Sequence, residues 1–336
     1  MNSAAIIVAL WSVLVAVSGA WPQQPENPVV GIFSSPLEEC PPVPSHLRNA
    51  EGGDEYNACV FSYSVRLLEA QGARAVVFPW NASYEQQLEL ASKVNGVWLP
   101  GGGLWGPIYD EYLASVTRLY QIAKDMNSRG DRFVLCGTCW GFEMLTIAAS
   151  GGNRYVMTGG LKGMEPLMMS VNFTAEQPTS RMLGDATAPA EVLDAMRFHN
   201  ATLNWHRQGL LIETYESNPH LKAQMSALAT TRTPSGRHTF VAAAEDRSGA
   251  AIYGIQFHPE RPPFEFTRDQ IGHTPRDIAV SHYFGRFITE GLRANNHSFP
   301  SPQDAEALRV AQWPLEDLGW GMRTYFVKDP PGSQRV

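Results

Sequence analysis

The sequence predicts an α/β protein in which a central, mostly parallel sheet lies between two layers of helices. In the first half of the chain, short apolar runs of strand-like composition alternate with amphipathic helical patterns, and the connections between them are short. This alternation is typical of a parallel sheet covered on both faces, a three-layer sandwich. In the second half the pattern changes to shorter strands and turns. Apolar residues make up 44% of the 336 residues, which is enough for a sizeable core.

The individual elements follow from the spacing of the apolar residues. Strands are predicted at 29–33, 73–78, 96–100, 133–136 and 251–257, and shorter strands at 155–157, 210–214, 227–231 and 239–244. Helices are predicted at 54–72, 84–94, 109–130, 142–149, 190–198 and 276–293, the first with Asp54 as its N-cap. Gly101–Gly103 and Cys139 both follow predicted strands. Because sites in such sheets form beyond the carboxyl ends of the strands, we expect these residues to meet at one edge.

The N-terminus carries the pattern of a secretory signal peptide over residues 1–20. Residues 4–17 are almost wholly apolar, and Ser18-Gly19-Ala20 fits a cleavage site. The apolar stretch is short for a membrane span, so we expect a cleaved signal and no stable span after cleavage. An uncleaved anchor is the alternative that stays open. Four N-x-S/T triplets agree with passage through the secretory pathway and are candidate glycosylation sites, at Asn81, Asn172, Asn200 and Asn296.

Charge and cysteine content narrow the class of protein. The formal net charge of −7 is spread without long runs, and no basic cluster indicates a nucleic-acid partner or an anionic membrane surface. Four cysteines are too few for a disulfide scaffold in an exported protein of this size. Cys40 and Cys59 flank a loop rich in Pro and Gly and could pair, whereas Cys136 is expected to be a buried strand residue.

Cys139 is the candidate nucleophile. It is the central residue of Gly-Thr-Cys-Trp-Gly, between a predicted strand and a predicted helix. This is the pattern of a nucleophile elbow, in which flanking glycines relieve crowding around a strained central residue. The dipole of the following helix favours the attacking thiolate.

Other readings of Cys139 stay open. It could be a buried structural cysteine, or Cys136 and Cys139 could form a redox-active CxxC pair. Zinc is a weak alternative because no second CxxC or closely spaced His pair completes four ligands, and no metal is expected.

His258 is the candidate general base. It follows a predicted strand, at the edge where Cys139 is expected, and Pro259 stiffens the turn after it. Glu260 could accept the proton of the second ring nitrogen and so orient the imidazole.

Three motifs carry a resemblance to a known family, at residues 100–103 (PGGG), 137–143 (GTCWGFE) and 253–260 (YGIQFHPE). Together they resemble the class I glutamine amidotransferase-like superfamily. The sequence is most similar to the gamma-glutamyl hydrolase family of folate polyglutamate hydrolases. Further support comes from residues 171–174, 180–182, 204–206 and 294–297. The resemblance runs over residues 29–299. It implies a catalytic domain at 21–299, after the signal peptide, with 300–336 as a peripheral tail.

The resemblance implies a cysteine hydrolase of the gamma-glutamyl bonds of folyl and antifolyl poly-γ-glutamates, with no cofactor. Cys139 would form a gamma-glutamyl thioester, His258 would move the protons, and Glu260 would orient His258. The backbone of Gly102, Gly103 and Trp140 would form the oxyanion hole, and His206 would bind the substrate or assist the leaving group. The family also suggests a homodimer, and a secreted protein or one of the lysosome or vacuole. By charge alone, Arg181 and Arg207 are candidate partners for substrate carboxylates.

Three other functions stay open at this point. The same scaffold could act on another gamma-glutamyl substrate. A thiol-disulfide oxidoreductase would use both Cys136 and Cys139, and would lose activity when either is replaced. A non-catalytic binding protein on this fold is disfavoured by the intact set of Cys139, His258 and Glu260.

Overall fold

The computed structural model describes residues 27–49, 55–104, 106–318 and 322–328. The predicted signal peptide at 1–20 and the predicted N-cap Asp54 lie outside these residues. Among the described residues, no helix combines the length and the apolar character needed to cross a membrane.

The described part of the chain forms sixteen strands and nine α-helices. The strands are β1 Val29–Phe33, β2 Ser35–Pro36, β3 Ala58–Phe61, β4 Arg74–Phe78, β5 Gly96–Leu99, β6 Val134–Thr138, β7 Met157–Gly159, β8 Leu167–Met169, β9 Asn172–Phe173, β10 Thr202–Asn204, β11 Gln208–Leu210, β12 Met225–Arg232, β13 Thr239–Asp246, β14 Ile252–Ile255, β15 Leu315–Asp317 and β16 Arg323–Val327. The helices are α1 Ser62–Glu69, α2 Tyr84–Ala91, α3 Pro107–Ser128, α4 Trp140–Ala149, α5 Ala190–Phe198, α6 Ile212–Glu216, α7 Pro219–Gln224, α8 Pro275–Leu292 and α9 Pro302–Ala307.

The main sheet has eight strands in the order β4-β1-β5-β6-β14-β13-β12-β9. The five strands from β4 to β14 run parallel to one another. The remaining three, β13, β12 and β9, continue the sheet in antiparallel pairs. The predicted fold class is therefore confirmed: a mixed, mostly parallel sheet forms the centre of an α/β domain.

Helices cover both faces of the sheet. On β6, the side chain of Val134 contacts Gly291 in α8, whereas the α-carbon of Gly137 faces Gly141 in α4. Positions three apart on a strand point to opposite faces, so α4 and α8 lie in different layers. α4 packs on α3, which also contacts α2, and α8 packs on α1 and α5.

A second sheet, here called the accessory sheet, has the order β15-β16-β3-β2. β16 brings residues 323–327 of the C-terminal segment against β3 and buries Phe326 completely. The Cys40–Cys59 disulfide joins the end of the segment after β2 to β3, so the two cysteines that could pair do pair. The C-terminal segment thus supplies two of the four strands of this sheet.

Three predicted elements were wrong. The helix predicted from 54 begins at Ser62, because residues 58–61 form β3 instead. The strand predicted at 210–214 is the end of β11 followed by α6. Residues 154–156 form a 3-10 turn, and the strand β7 begins only at Met157. In each case an apolar run of three to five residues fitted either kind of structure, and pairing with distant segments decided between them.

Candidate active site

Cys139 lies at the tip of a nucleophile elbow between β6 and α4. Its backbone has φ 49° and ψ −112°, a strained conformation for a residue with a side chain. Its N–H donates to the carbonyl of Ile255 at 2.7 Å, which ties the elbow to β14. The glycines are needed here for space: a Cβ at Gly137 would lie 2.5 Å from the carbonyl carbon of Gly141, and a Cβ at Gly141 would lie 2.3 Å from the carbonyl oxygen of Leu99. The predicted elbow geometry is present.

His258 and Glu260 form a buried pair just beyond β14. His258 Nδ1–H donates to Glu260 Oε1 at 2.6 Å, and neither side chain is exposed by more than 2%. The backbone N–H of His258 also donates to the carbonyl of Leu203 at 2.7 Å. Because Nδ1 is committed to Glu260, Nε2 is the ring nitrogen left to exchange protons with a reacting group.

Gly101 shows how closely the nucleophile and this imidazole approach each other. A Cβ placed on Gly101 would lie 3.3 Å from Cys139 Cβ and 2.6 Å from His258 Cε1. The α-carbon of one glycine therefore borders both side chains. The structure brings Cys139, His258 and Glu260 together at the carboxyl ends of β5, β6 and β14.

Burial keeps the Cys139 thiol protonated at rest. It raises the pKa of the thiol well above its usual value, and the nearby Glu143 adds to the increase. Arg261 and a hydrogen bond from the Trp140 N–H, at the start of α4, act in the opposite direction. The sequence suggested that the helix N-terminus would favour the thiolate. It does act on the sulfur, but burial has the larger effect, so a base is needed to remove the proton.

The three predicted oxyanion-hole residues differ in their contacts. The Trp140 N–H lies against Cys139 Sγ, and Gly102 lies next to the Trp140 ring, since a Cβ on Gly102 would be 3.2 Å from Trp140 Cε3. The Gly103 N–H, in contrast, donates to Glu39 Oε1 at 2.9 Å. Gly103 is therefore engaged with a side chain that the sequence did not bring into the site.

Glu143 is a second acidic residue that sequence reasoning left without a role. It lies in the first turn of α4, and it accepts hydrogen bonds from the side-chain amides of Gln256, at 2.9 Å, and of Gln208. Burial raises the pKa of Glu143 to about 8, although both amides act to lower it. A carboxyl group in a helix whose other residues, apart from Thr146 and the ring N–H of Trp140, carry no polar side-chain group was the available signal.

The segment 204–208 also lies against the thiol. The Cys139 thiol faces the carbonyl of Trp205 at 3.8 Å. The next residue, His206, is buried, with Nδ1 2.7 Å from the carbonyl of Gln208 and Nε2 3.1 Å from Asn204 Oδ1. Burial lowers the pKa of His206 to about 4, and the nearby His258 contributes to the decrease. The structure thus places His206 next to the catalytic candidates, as a neutral imidazole above that pH.

Comparison with known proteins places this geometry in a family. The model of the glutamine amidotransferase class-I family matches residues 55–269. Gamma-glutamyl hydrolase of Mus musculus is 32% identical over 277 residues, which cover 82% of this chain and 80% of the mouse protein. The chain belongs to the gamma-glutamyl hydrolase family. The Homo sapiens relative is 31% identical, covering 86% of this chain and 85% of the relative. Gamma-glutamyl hydrolase B of Dictyostelium discoideum is 28% identical, with coverage of 81% and 74%.

Membership of the gamma-glutamyl hydrolase family makes the chain a hydrolase, and it gives the elbow and the His258–Glu260 pair a chemical context. In the class I amidotransferase fold the enzymatic centre is of the cysteine type. The resemblance read from the motifs is confirmed.

The two arginines suggested by charge alone do not join the site. Arg181 donates to the carbonyls of Ala250, at 2.7 Å, and Asp246, and it lies 3.5 Å from Glu245. Ala250 precedes β14, at the edge opposite Cys139, so Arg181 lies away from the thiol, and the substrate-binding role expected of it stays a prediction. Arg207 is largely exposed and pairs with Glu165 at 2.6 Å. Its position next to His206 places it near the rim, with its charge already compensated.

Arg261, which sequence reasoning passed over, supports the wall of the site. Its guanidinium lies 4.6 Å from the centre of the Trp205 ring and 4.8 Å from that of Tyr63, and it faces Glu265 at 3.4 Å. A buried cation between two rings fixes the position of both. Arg261 thereby positions Trp205, whose carbonyl faces the thiol.

The remaining predicted residues are Cys136 and the four candidate glycosylation asparagines, and they lie outside the group formed by Cys139, His258 and Glu260. Cys136 is completely buried in β6 and is not bonded to Cys139. Asn172, Asn200 and Asn296 are exposed, and Asn81 is half-buried. Within the described ranges, no group of three His, Cys, Asp or Glu residues could hold a metal ion.

Proposed function

We propose that this hydrolase cleaves the gamma-glutamyl bonds of folyl poly-γ-glutamates through a thioester on Cys139. The observation that carries the proposal is the meeting of the strained Cys139 with the buried His258–Glu260 pair around Gly101. The likeness to curated gamma-glutamyl hydrolases supports the class of bond. The motifs shared with the folate polyglutamate hydrolases support the substrate.

The first half of the reaction acylates the enzyme. His258 Nε2 takes the thiol proton as Sγ attacks the γ-carboxamide carbon, and the carbonyl oxygen becomes an oxyanion. When the tetrahedral intermediate collapses, the C–N bond breaks, His258 returns its proton to the leaving amine, and a γ-glutamyl thioester remains. The N–H groups of Trp140 and Gly102 are the proposed oxyanion donors, each contributing about 3–4 kcal/mol to transition-state stabilisation.

The second half releases the acyl group. Water enters in place of the leaving amine, and His258 Nε2 takes its proton as the oxygen attacks the thioester carbon. The C–S bond breaks, the γ-carboxylic acid leaves, and the proton returns to the sulfur. Glu260 keeps the imidazole in one tautomer throughout, because its carboxylate accepts from Nδ1.

Hydrolysis of folyl pentaglutamate by the purified protein at acidic pH tests the proposal. We expect wild type and Cys136→Ala to release glutamate or glutamyl peptides, and Cys139→Ala to lose activity by at least about a thousandfold. Cys136→Ala is the matched control, since it removes the neighbouring buried thiol. If no form cleaves the substrate, the folate assignment fails. Disulfide reductase activity that is lost in both variants would instead establish a redox pair.

We also propose that the chain enters the secretory pathway. The Cys40–Cys59 disulfide supports this because such bonds persist in oxidising compartments, and three of the four candidate glycosylation asparagines are exposed. Expression in a eukaryotic host should give a protein whose mass falls on treatment with an N-glycosidase. An unchanged mass, or recovery of the chain in the cytosol, would contradict the proposal.

A further inference from the structure

Glu39 reaches the active site from a distant part of the chain. It ends the 3-10 turn Leu37–Glu39 that follows β2, and its Oε1 accepts from the Gly103 N–H at 2.9 Å. The same oxygen would lie 3.0 Å from a Cβ on Gly102, and that Cβ would also lie 3.2 Å from the ring of Trp140. Glu39, Gly102 and Trp140 are therefore in successive contact beside the thiol.

Because of this contact, the N–H groups of the glycine loop have two different roles. The Gly103 N–H is taken by a carboxyl oxygen and does not face an incoming carbonyl. Gly102 is exposed, and its neighbour Trp140 directs its own N–H at Cys139. An oxyanion hole needs donors held rigidly where the charge develops, and a loop of three glycines has little stiffness of its own.

We propose that Glu39 is a positioning residue, which holds the 101–103 loop through the Gly103 N–H so that the N–H groups of Gly102 and Trp140 face the oxyanion. This inference rests on the proposed function, because it assigns a role within that reaction. It also replaces Gly103 with Glu39 among the residues expected to shape the hole.

The accessory sheet holds Glu39 in place. The next residue, Cys40, is bonded to Cys59, which is completely buried in β3, and Ser35 of β2 pairs with Cys59. Glu39 is thus attached on both sides to a sheet that β16 completes. The position of one oxyanion-loop contact is therefore set by residues from both ends of the described chain.

The charge on Glu39 gives the contact a pH dependence. Burial raises the pKa of Glu39 to about 7, although the Gly103 N–H acts to lower it. The titratable group that faces Glu39 among the described residues is the Tyr112 hydroxyl of α3, and burial keeps its pKa above its usual range. Glu38 next to it is exposed, and Cys40 is in the disulfide. Below pH 7 Glu39 is a neutral acceptor; above it, a negative charge beside the hole opposes the developing oxyanion.

Kinetics of Glu39→Ala, Glu39→Gln and the neighbouring control Glu38→Gln test the proposal. We expect Glu39→Ala to lower kcat about 10- to 100-fold, with KM changed less than about threefold, because the hole is misplaced while binding is kept. In wild type, kcat should fall between pH 6 and pH 8 as Glu39 ionises. Glu39→Gln keeps an acceptor oxygen but cannot ionise, so it should have most of the wild-type rate at pH 5 and a smaller fall in kcat between pH 6 and pH 8. Glu38→Gln should behave as wild type. A rate unchanged in Glu39→Ala would overturn the proposal.

Amide hydrogen exchange gives a readout that needs no substrate. In Glu39→Ala, the peptide containing residues 101–103 should exchange at least about tenfold faster than in wild type, with the melting temperature and the exchange of α8 unchanged. Unchanged exchange in this peptide would contradict the positioning role, even in a protein that hydrolyses folyl pentaglutamate. Faster exchange in a protein that hydrolyses no gamma-glutamyl substrate would refute the proposed function and leave the contact established.

Discussion

Gly101 sets how closely the side chains of Cys139 and His258 can approach each other. In Gly101→Ala the new methyl group would meet His258 Cε1 at 2.6 Å, and the ring cannot move away without breaking its bond to Glu260. We expect kcat/KM to fall about a hundredfold, because a displacement on the order of 1 Å in an active site costs this much. The measurement is steady-state hydrolysis together with a thermal melt.

Gly103→Ala is the matched control for that substitution. A Cβ on Gly103 would have no neighbouring heavy atom within 4 Å, and the variant keeps the N–H that donates to Glu39. This variant should stay within about threefold of wild type. Equal losses in the two variants would mean that flexibility of the glycine loop, and not the space between Cys139 and His258, limits the reaction.

The sequence identified the residues whose surroundings are local. Cys139 was recognisable because the strand, the glycines and the helix that shape it are adjacent in the chain, and Glu260 is two residues from His258. Glu39 and Trp205 were missed because their contacts with Gly103 and Cys139 span 64 and 66 residues. The position of Arg181 beside Ala250 was not predictable, because charge alone does not say at which edge of a sheet a side chain lies.

Among the elements, the segment from β2 to β3 depends on its disulfide. Cys40 and Cys59 are 19 residues apart, and closing a loop of that length in the unfolded chain contributes about 3 kcal/mol to stability. The Cys40→Ser/Cys59→Ser double variant should lose about 2–4 kcal/mol of unfolding free energy in chemical denaturation. Reduced wild type should show a similar loss; a double variant as stable as oxidised wild type would refute the expectation.

A helix or strand could be predicted from the sequence where its own pattern of apolar residues was long enough. The helices α3 and α8 show helical spacing over 22 and 18 residues, and both were placed within two residues of their ends. The sequence pattern predicts helix at β3 because its four residues run directly into α1 and share its apolar character. Its strand conformation depends on β16, more than 260 residues away, which no local pattern could supply.

For the whole molecule, the buried acids predict greater stability in mild acid than in mild base. The raised pKa values of Glu143, about 8, and Glu39, about 7, mean that the folded state binds more protons than the unfolded state between pH 4.5 and pH 8. Their stabilising contribution is complete below pH 4.5 and is lost as pH rises through 7 and 8. His206, with its pKa lowered to about 4, acts oppositely: its contribution is present above pH 6.5 and is lost as pH falls through 4.

The melting temperature at pH 5 should therefore exceed that at pH 8 by roughly 2–5 °C, since about 1 kcal/mol moves the midpoint of a chain of this size by a few degrees. Calorimetry at the two pH values measures the difference. Glu143→Gln should reduce it, whereas Glu290→Gln on the exposed face of α8 should not. A melting temperature that is higher at pH 8 would contradict the role of the buried acids.

The neighbouring position of β6 and β14 restricts which insertions and deletions the gene can accept. Thr138 pairs with Ile255, so Cys139 and His258 lie one and three residues beyond this paired position. One added codon in either strand would shift one of them by about 3.3 Å and turn the following side chains to the opposite face. In a library of single-codon insertions, we expect active clones with insertions in the turn at Pro234–Gly236 and none within 134–138 or 252–255. Insertions and deletions that keep the reading frame would thus be tolerated only where the encoded residues form turns.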